Sequence, residues 1–541
     1  MTAIALRRPP SLDVPTNWKR RLAWIPLPLI LAAQVTLALR IITRPPSLDE
    51  ARYIYAGHQL LNELLHGGGT PYYDTYFSGA PDFYPPLAAM ADRLGGLIEV
   101  RLMSLLFVVG ATVLLYMTAR HLFGQAAGLL AASMFAVNGL TRFVGTYANY
   151  DGLALLLLSA AAYFAVRSAD PEAKSRWLLL VPVALLLANT AKYASLLFDP
   201  VVLMLASYRL PWRQMIRRVL ILGGATTGLL VLAAALAGGA YIKGVFFSTL
   251  GRKAGTNIVF TAQKEAYVYI VSESGRWIGL VVLLAMISLI VALATREKAP
   301  TLRLLGVMIV AGLLVTLEAI HLHTDESMIQ HDDFSAWFSC IATGYSLGMI
   351  YQMRHSLIRH LAGGTAFAGV IGATAIFGLH FVPIQQRPTG MTSQLEALLK
   401  PYLSVNGGRY LISGGSGFHL IYQDKAAVPW FDLTDDNYLK YPIPGRGGDS
   451  HGRAPGKVCT RVLPGCVYLE GNAAYVAAIQ AHWFAVISIG SRYNPQRLPA
   501  DRVIQQTVEH TRGYVLLSTI GGGPTWVYAP DYSRKARSSS G

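Results

Sequence analysis

The chain has 541 residues, of which 53% are hydrophobic and only 14% are charged. A soluble domain carries about a quarter charged residues, so this composition predicts a polytopic membrane protein and argues against a soluble enzyme. The formal net charge of +16 lies in short loops between apolar runs. That distribution indicates membrane topology and contact with anionic headgroups, and it argues against a nucleic-acid-binding protein.

The N-terminal segment carries five basic residues ahead of the first apolar run. That run continues to Ile42, which is roughly the 20 residues needed to cross a bilayer, and no small-residue cleavage site follows it. We therefore predict a retained first transmembrane helix and not a cleaved signal peptide.

Eleven apolar runs predict a bundle of about eleven transmembrane helices. The runs are 22–42, 97–118, 124–140, 150–166, 177–190, 193–208, 219–241, 277–295, 304–320, 334–352 and 361–381.

Basic residues occupy every second connection between these runs, which places those connections in the cytosol. The basic connections are the N-terminus, Arg120, Arg167–Arg176, Arg209–Arg218, Arg296–Arg303 and Arg354–Arg359. We predict a multi-pass protein of the plasma (inner) membrane with a cytosolic N-terminus and an extracytoplasmic C-terminal domain. The predicted segments are a cytosolic 1–21, a membrane module 22–381 with an external loop 43–96, a small α/β domain 382–533, and a disordered tail 534–541.

The external loop begins with an acidic pair, Asp49-Glu50, at the mouth of the first helix. Ionisable groups at a membrane boundary usually face water, a partner or a substrate, so Asp49 is a candidate catalytic base. The alternative is that both are first-turn residues of a surface helix, stabilised by its dipole. A helical stripe continues to Leu65 and ends at Gly67–Gly69, which predicts an amphipathic helix in the membrane interface.

The C-terminal region is richer in glycine, proline and charge than the rest of the chain. Its predicted strands and helices alternate, which is typical of a small α/β domain. The strands are 410–413, 484–487 and 514–517, and the helices are 392–399, 472–481 and a segment near 500–509.

Three cysteines are present. Cys340 lies in an apolar run, where we interpret it as an inert small hydrophobe. Cys459 and Cys466 flank a turn, and they either pair outside the cytosol or remain two free thiols.

The order of these features resembles a known superfamily, the GT-C glycosyltransferases, and specifically the bacterial family-39 and aminoarabinose-transferase-like enzymes related to protein O-mannosyltransferases. The matching fragments are 49–53, 84–87, 101–104, 116–124, Asp151 and 191–193. The resemblance covers roughly the first 210 residues. It implies an inverting transfer of a sugar from a polyprenyl-phosphate donor to an acceptor hydroxyl at the external face.

The resemblance also assigns residues to roles. Asp49 would be the general base that takes the acceptor proton, with Glu50 sharing or tuning that role. Asp151 would be a second carboxylate of the site, although related enzymes usually have Asp-Pro where this chain has Asp151-Gly152. The motif tyrosines are predicted to line the substrate pocket, and they are Tyr53, Tyr84 and Tyr193.

A phosphate leaving group requires cations. Lys192 stands alone at an outer helix boundary, where the alternative is a snorkelling lysine. Arg52 would pair with Asp49 or reach the phosphate. The loop 242–276 contributes Lys243, Arg252, Lys253 and Lys264, which are equally compatible with headgroup contacts.

The loop between the ninth and tenth runs carries histidines and carboxylates whose spacing is compatible with a divalent cation, while a solvated polar loop is the favoured interpretation. These residues are His321, His323, Asp325, Glu326, His331, Asp332 and Asp333. The resemblance lets His331 contact the phosphate instead. Asp199-Pro200 is predicted to break the sixth helix and not to act in catalysis.

Two other functional classes remain open. A secondary transporter would place its ionisable groups near the membrane midplane in repeated, broken helices, and no repeat is visible here. A membrane-anchored envelope scaffold would leave Asp49, Asp151 and Lys192 dispensable. For a transferase, the sequence leaves the acceptor open among envelope lipids, glycans and exported proteins.

Overall fold

A computed structural model describes most of the membrane module and parts of the C-terminal region. The described residues are 26–44, 47–66, 73, 77–172, 174–249, 263–323, 327–352, 364–365, 368–379, 398–402, 409–412, 433–434, 439, 441–442, 453–454, 457–458, 468–469, 471–489, 498–519 and 523–529.

The membrane module is built from α-helices, and every predicted apolar run overlaps at least one of them. The helices are α1 Pro26–Leu39, α2 Leu48–His66, α3 Tyr84–Gly95, α4 Leu97–Phe123, α5 Gln125–Val137, α6 Gly139–Gly145, α7 Tyr150–Ser168, α8 Ser175–Ala191, α9 Asp199–Leu205, α10 Trp212–Ala237, α11 Gly239–Ser248, α12 Gln263–Ala294, α13 Ala299–Leu322, α14 Met328–Gln352 and α15 Ala368–Leu379. Within the described residues, five helices are long and apolar enough to cross a membrane, or six if the bent pair α5–α6 forms one span. The count of eleven spans stays a prediction.

Two of the predicted runs are not single helices. The third run breaks at Asn138, whose side chain caps α6 by accepting a hydrogen bond from the Leu140 amide at 2.9 Å, and α5 and α6 meet at 66°. The sixth run is a 3-10 helix, Tyr193–Phe198, followed by α9. Pro200 lies in the first turn of α9, where its missing amide hydrogen costs no helical hydrogen bond. At the predicted break at Asp199 the chain changes from a 3-10 helix to an α-helix.

The interpretation of residues 331–333 as part of a solvated polar loop is wrong. Helix α14 begins at Met328, so His331, Asp332 and Asp333 lie within it, and all three are buried. Their helix packs against α6 and α7, and the Asp333 carboxylate accepts a hydrogen bond from the Thr141 hydroxyl at 3.0 Å. Apolar periodicity could not find this start because residues 330–333, near the start of the helix, are all polar.

The core of the bundle lies where α4, α5, α7 and α14 pack together. The Trp337 indole donates a hydrogen bond to the Ala111 carbonyl at 2.9 Å and so joins α14 to α4. Gly344 lets α14 approach α5, because a Cβ atom there would overlap the Ala127 carbonyl. Cys340 is buried and is a free thiol.

The described C-terminal residues contain two α-helices, α16 Gly471–Gln480 and α17 Leu498–His510, and a 3-10 helix, Lys400–Tyr402, beside short strands. The strands are β1 Tyr410–Ile412, β2 Leu433–Thr434, β3 Tyr441–Pro442, β4 Arg453–Ala454, β5 Lys457–Val458, β6 Tyr468–Leu469, β7 Val486–Ser488, β8 Tyr514–Ser518 and β9 Thr525–Tyr528. Five of them form one mixed sheet in the order β2-β1-β7-β9-β8, while β3–β6 and β4–β5 form separate pairs. In the main sheet β2, β1 and β7 are parallel, and β9 runs antiparallel to β7 and β8.

The main sheet contacts the membrane module through α2. Tyr55 packs against the cluster of Leu399, Tyr410 and Val486, so the C-terminal region touches the same helix that carries Asp49. The predicted domain boundaries stay predictions. Several predicted features lie outside the described residues, namely Gly67–Gly69, Cys459, Cys466, 1–21 and 534–541.

Candidate active site

The start of α2 is fixed by a reciprocal pair of hydrogen bonds between Ser47 and Glu50. The Glu50 amide donates to the Ser47 hydroxyl at 3.3 Å, and the Ser47 amide donates to the Glu50 carboxylate at 2.8 Å. This is a capping box, in which a serine and a glutamate three residues later satisfy two otherwise unpaired amides. The pattern Ser-x-x-Glu, which is visible in the sequence, is the local signal that predicts this cap.

The Glu50 carboxylate is fully engaged inside the protein. Arg101 donates to both of its oxygens at 2.8 Å, and the Ala148 amide and Arg44 guanidinium add hydrogen bonds of 2.9 and 3.3 Å. Although burial alone would raise the pKa of Glu50, Arg44 and Arg101 outweigh that effect and lower it to about 2. Glu50 is therefore held as a buried anion.

Arg101 joins three segments of the chain at this point. Besides Glu50, it donates to the carbonyl oxygens of Ile42 and Arg44 at 2.7 and 2.6 Å. The planar guanidinium suits such a junction because its donors point in fixed directions. The end of the first membrane segment, the start of α2 and the first turns of α4 are thereby locked together. Asp49 is the residue next to this junction.

Asp49 lies on the first turn of α2 and is partly exposed, in contrast to Glu50. Its charge contributes to raising the pKa of Tyr53 and of Tyr147, after the larger effect of burial, so it lies close to both phenols. Tyr53 also feels the charge of Asp151. The side chain of Tyr53 therefore stands near both candidate carboxylates of the site.

An aromatic wall lines this region and contains two of the three predicted pocket tyrosines. The Tyr53 and Tyr84 rings both contact Tyr150, with centroid distances of 4.6 and 5.2 Å, and Phe77 packs on Tyr53 at 5.0 Å. The third predicted residue, Tyr193, contacts Tyr241 of α11 at 5.9 Å. Tyr150 was not predicted, although it directly precedes Asp151 in the sequence.

Asp151, Lys192 and His331 form the second charged group of the site. The Asp151 carboxylate lies 3.4 Å from the Lys192 ammonium and 4.0 Å from the His331 imidazole, and all three side chains are buried. Neither carboxylate oxygen of Asp151 has a hydrogen bond of ordinary geometry within the described part of the chain. Asn149 fixes the position of Asp151 by accepting a hydrogen bond from its amide at 3.1 Å.

Lys192 occupies the turn after α8, where its backbone is extended. The Ser195 hydroxyl donates to the Asn189 side chain at 2.6 Å, and Asn189 in turn donates to Asp199 at 2.9 Å. The Ser195 amide donates to the Lys192 carbonyl at 3.0 Å. These bonds hold the turn in one shape, which points the lysine into the bundle and toward Asp151. The lysine is 3% exposed, so it does not snorkel to the water.

The segment that precedes α3 also contacts this turn from the other side. The Ala80 amide donates to Thr190 O and the Tyr193 amide to Ser78 O, both at 2.9 Å. Between them, Gly79 packs directly on the Ala191 carbonyl, and a Cβ atom at this position would overlap that oxygen. The close approach of the two backbones requires glycine at this position.

Replacing Gly79 with alanine is expected to displace the Lys192 turn and to lower stability by about 1–3 kcal/mol, as overpacking does. Thermal melting of the purified protein in detergent measures the change. Gly224→Ala is the matched control, since a Cβ atom there meets no atom within 4 Å and lies inside helix α10. An equal melting temperature for Gly79→Ala and wild type would contradict the packing described.

Of the other predicted phosphate-binding cations, two have described side chains. Arg52 lies on α2 and is partly buried, and Lys243 lies exposed on α11, the helix whose Tyr241 contacts Tyr193. Arg252 and Lys253, and the side chain of Lys264, lie outside the described residues.

Among the residues that the structure describes, no three His, Cys, Asp or Glu side chains are grouped closely enough to hold a metal ion. His323 instead contacts the Tyr267 hydroxyl at 3.0 Å. Asp325 and Glu326 lie outside the described residues.

The sequence and the fold were compared with those of known proteins. Residues 88–237 match the sequence family described as Dolichyl-phosphate-mannose-protein mannosyltransferase. The fold is similar to apo ArnT from Cupriavidus metallidurans, with a TM-score of 0.56 at 12% identity over 95% of this chain and 99% of ArnT. This chain has the GT-C fold. The predicted resemblance to the GT-C superfamily is thereby confirmed.

Two further structures with the GT-C fold come from Archaeoglobus fulgidus. One is an oligosaccharyltransferase tethered with an acceptor peptide, with a TM-score of 0.53 at 11% identity over 95% of this chain and 74% of that one. The other is the oligosaccharyltransferase AglB in complex with an inhibitory peptide and a dolichol-phosphate, with a TM-score of 0.51 at 11% identity over 76% and 64%. No curated protein matches this chain by sequence.

Proposed function

We propose that this chain is an integral-membrane inverting glycosyltransferase that moves a sugar from a polyprenyl-phosphate donor to an acceptor hydroxyl at the external membrane face. The single observation that carries the proposal is the buried group of Lys192, Asp151 and His331 beside the helix that bears Asp49. The AglB structure holds a dolichol-phosphate and an inhibitory peptide, and the other Archaeoglobus fulgidus structure is tethered with an acceptor peptide, which supports a lipid phosphate and an acceptor as the two ligands of this fold.

The proposed chemistry divides between the two charged groups. The acceptor oxygen attacks the anomeric carbon, the bond from that carbon to the phosphate oxygen breaks, and the polyprenyl phosphate leaves with the bonding electrons. Asp49 takes the acceptor proton as the new bond forms. Lys192 stabilises the negative charge that grows on the phosphate, since a fixed cation in a water-poor site acts strongly on developing charge.

Glu50 has a supporting role in this proposal. Its carboxylate accepts hydrogen bonds from Arg101, Arg44 and two backbone amides, so it is not available to take a proton from the acceptor. It holds the first turn of α2 so that Asp49 is presented in one orientation. Asp151 similarly positions Lys192, because the carboxylate and the ammonium are paired in the bundle.

The proposal leaves the identity of the acceptor and the sugar open to experiment. Purified protein would be incubated with a panel of radiolabelled polyprenyl-phosphate sugars and an envelope extract. We expect one donor to lose its label to an acceptor, and the labelled product identifies that acceptor. The proposed reaction is wrong if no donor in the panel is consumed. It is also wrong if the transferred sugar keeps its anomeric configuration, because the proposed transfer is inverting.

Replacing Lys192 with methionine tests the phosphate contact directly. We expect donor affinity to fall about tenfold to a hundredfold, the loss that follows removal of a hydrogen bond to a charged group. Equilibrium binding of the intact polyprenyl-phosphate donor measures this loss of affinity. Lys298→Met is the matched control because Lys298 is exposed at the start of α13.

The methionine variant leaves Asp151 as an unpaired buried charge, which by itself lowers stability. The double variant Lys192→Met with Asp151→Asn removes both charges and separates the two effects. We expect the double variant to regain the melting temperature of the wild type without regaining donor affinity. If the double variant regained both the wild-type melting temperature and the wild-type donor affinity, Lys192 would act only on the fold.

A further inference from the structure

A cavity of about 350 Å³ lies at the end of the bundle away from the Asp151 site. Its lining includes Leu122 at the end of α4, while the Glu50–Arg101 junction lies at the start of that helix. Arg101 and Leu122 are 21 positions apart in the sequence, which corresponds to about 30 Å along the helix axis. The cavity is therefore separate from the proposed transfer site.

The cation of the cavity is Arg209, which follows α9. Its guanidinium is paired with Asp170 at 3.0 Å and donates to the Tyr208 hydroxyl at 2.7 Å, while 38% of the side chain stays exposed. The turn that carries it is fastened to α13, because Arg303 donates to the Leu210 carbonyl at 2.9 Å. Arg209 is thus held in one place with donor capacity left, which is the arrangement that arginine uses to bind phosphate.

The anion of the cavity is Glu297, in the turn between α12 and α13. It forms no salt bridge within the part of the chain that the structure describes. The Tyr345 hydroxyl also lines the cavity; it is buried and lies beside Glu297 and Thr295. A carboxylate and a hydroxyl oxygen side by side offer two acceptors to a ligand that donates to both of them.

The remaining lining is mixed in polarity. Leu122, Pro300, Leu304, Met349 and the Phe123 ring, which contacts Tyr345 at 5.1 Å, are apolar, whereas Tyr208 and Thr301 are polar. A volume of this size lies within the range of small-molecule sites. One cation, one anion and several apolar side chains match a ligand that carries a phosphate, an ammonium and a hydrocarbon chain.

We infer that this cavity binds the headgroup of a zwitterionic phospholipid of the phosphoethanolamine type. The phosphate contacts Arg209, the ammonium donates to Glu297 and to the Tyr345 hydroxyl, and the start of the acyl chain lies along Leu122 and Met349. The site is independent of the transfer reaction, so it can be tested whether or not the proposed function holds.

The test uses the full-length protein in detergent and dihexanoyl phosphatidylethanolamine as the probe, with binding followed by native mass spectrometry. We expect Glu297→Gln and Arg209→Gln each to weaken binding about tenfold or more, and Tyr345→Phe to weaken it less. Arg213→Gln is the matched control, because Arg213 is an exposed arginine at the start of α10 that does not line the cavity.

Two further probes identify the ligand class. Dihexanoyl phosphatidylglycerol has the phosphate but no ammonium, and we expect it to bind at least tenfold more weakly and to be insensitive to Glu297→Gln. Soluble glycerophosphoethanolamine lacks acyl chains, and we expect it to bind more weakly than the lipid.

Equal binding of the glycerol lipid would overturn the ammonium assignment, and equal binding of the soluble headgroup would overturn the lipid assignment. Arg209→Gln removes an ion pair with Asp170 and so can lower stability. Glu297→Gln removes no salt bridge with another described residue and keeps the size of the side chain beside Tyr345, so unchanged binding by that variant would by itself refute the site.

Discussion

Replacing Asp49 with asparagine is expected to reduce sugar transfer by about 10²–10⁴-fold, the range that a positioned general base contributes. Asparagine has nearly the same shape as aspartate but cannot accept the proton of the acceptor hydroxyl. Because Asp49 is partly exposed, whereas Glu50 is buried, the variant should fold and should bind the donor as the wild type does. Initial rates with the donor found in the panel, together with donor affinity, measure both effects.

Asp82→Asn is the control for the Asp49 variant. Asp82 is an exposed carboxylate in the segment that precedes α3, so its loss should leave transfer rates close to those of the wild type. If Asp49→Asn transfers sugar at the wild-type rate, Asp49 is not the base. If donor binding falls together with the rate, the residue acts on the donor and the division of roles proposed above is incorrect.

Replacing Glu50 with glutamine is expected to lower the free energy of unfolding by about 3–5 kcal/mol, the usual cost of breaking a buried ion pair. The amide cannot accept the paired hydrogen bonds of Arg101, whose guanidinium would remain buried without its anion. Melting temperature in detergent measures the loss. Glu63→Gln, further along the same helix α2 and partly exposed, is the matched control.

The same residue gives stability a dependence on pH. The pKa of Glu50 is lowered from its ordinary value of 4.5 to about 2, so its contribution is fully present above about pH 4.5 and is lost as pH falls toward 2. The difference in melting temperature between wild type and Glu50→Gln should therefore shrink across this interval. A constant difference would mean that Glu50 keeps an ordinary pKa in the folded protein.

Local sequence patterns predicted most of the elements but not how their ends meet. Strands near 410, 486 and 514 and helices near 472 and 500 agree with the observed elements within a few residues, because alternation and helical periodicity are local properties. The start of α14 was placed too late, since its polar residues 330–333 lie inside the bundle, where the helix packs against α6 and α7. Sequence periodicity does not contain those contacts.

The site shows the same division. Asp49, Asp151, Lys192 and His331 were predicted from motifs. In the fold, the Lys192 ammonium and the His331 imidazole both lie within 4.0 Å of the same carboxylate oxygen of Asp151. The pairing of Glu50 with Arg101 was not predicted, because the two residues are 51 positions apart and nothing local joins them. That pairing is what distinguishes a buried, saturated glutamate from the neighbouring, partly exposed aspartate.

The sequence by itself determined that this protein is a helical membrane protein and that its chemistry-bearing residues lie at one set of helix ends, since both follow from apolar run length and the spacing of charges. Only the tertiary structure decided which charges are paired, because pairing depends on how α2, α4, α7, α8 and α14 approach one another. Burial makes those pairings decisive: an ion in a low-dielectric interior is stable only beside a counter-charge, and that neighbour is set by the fold.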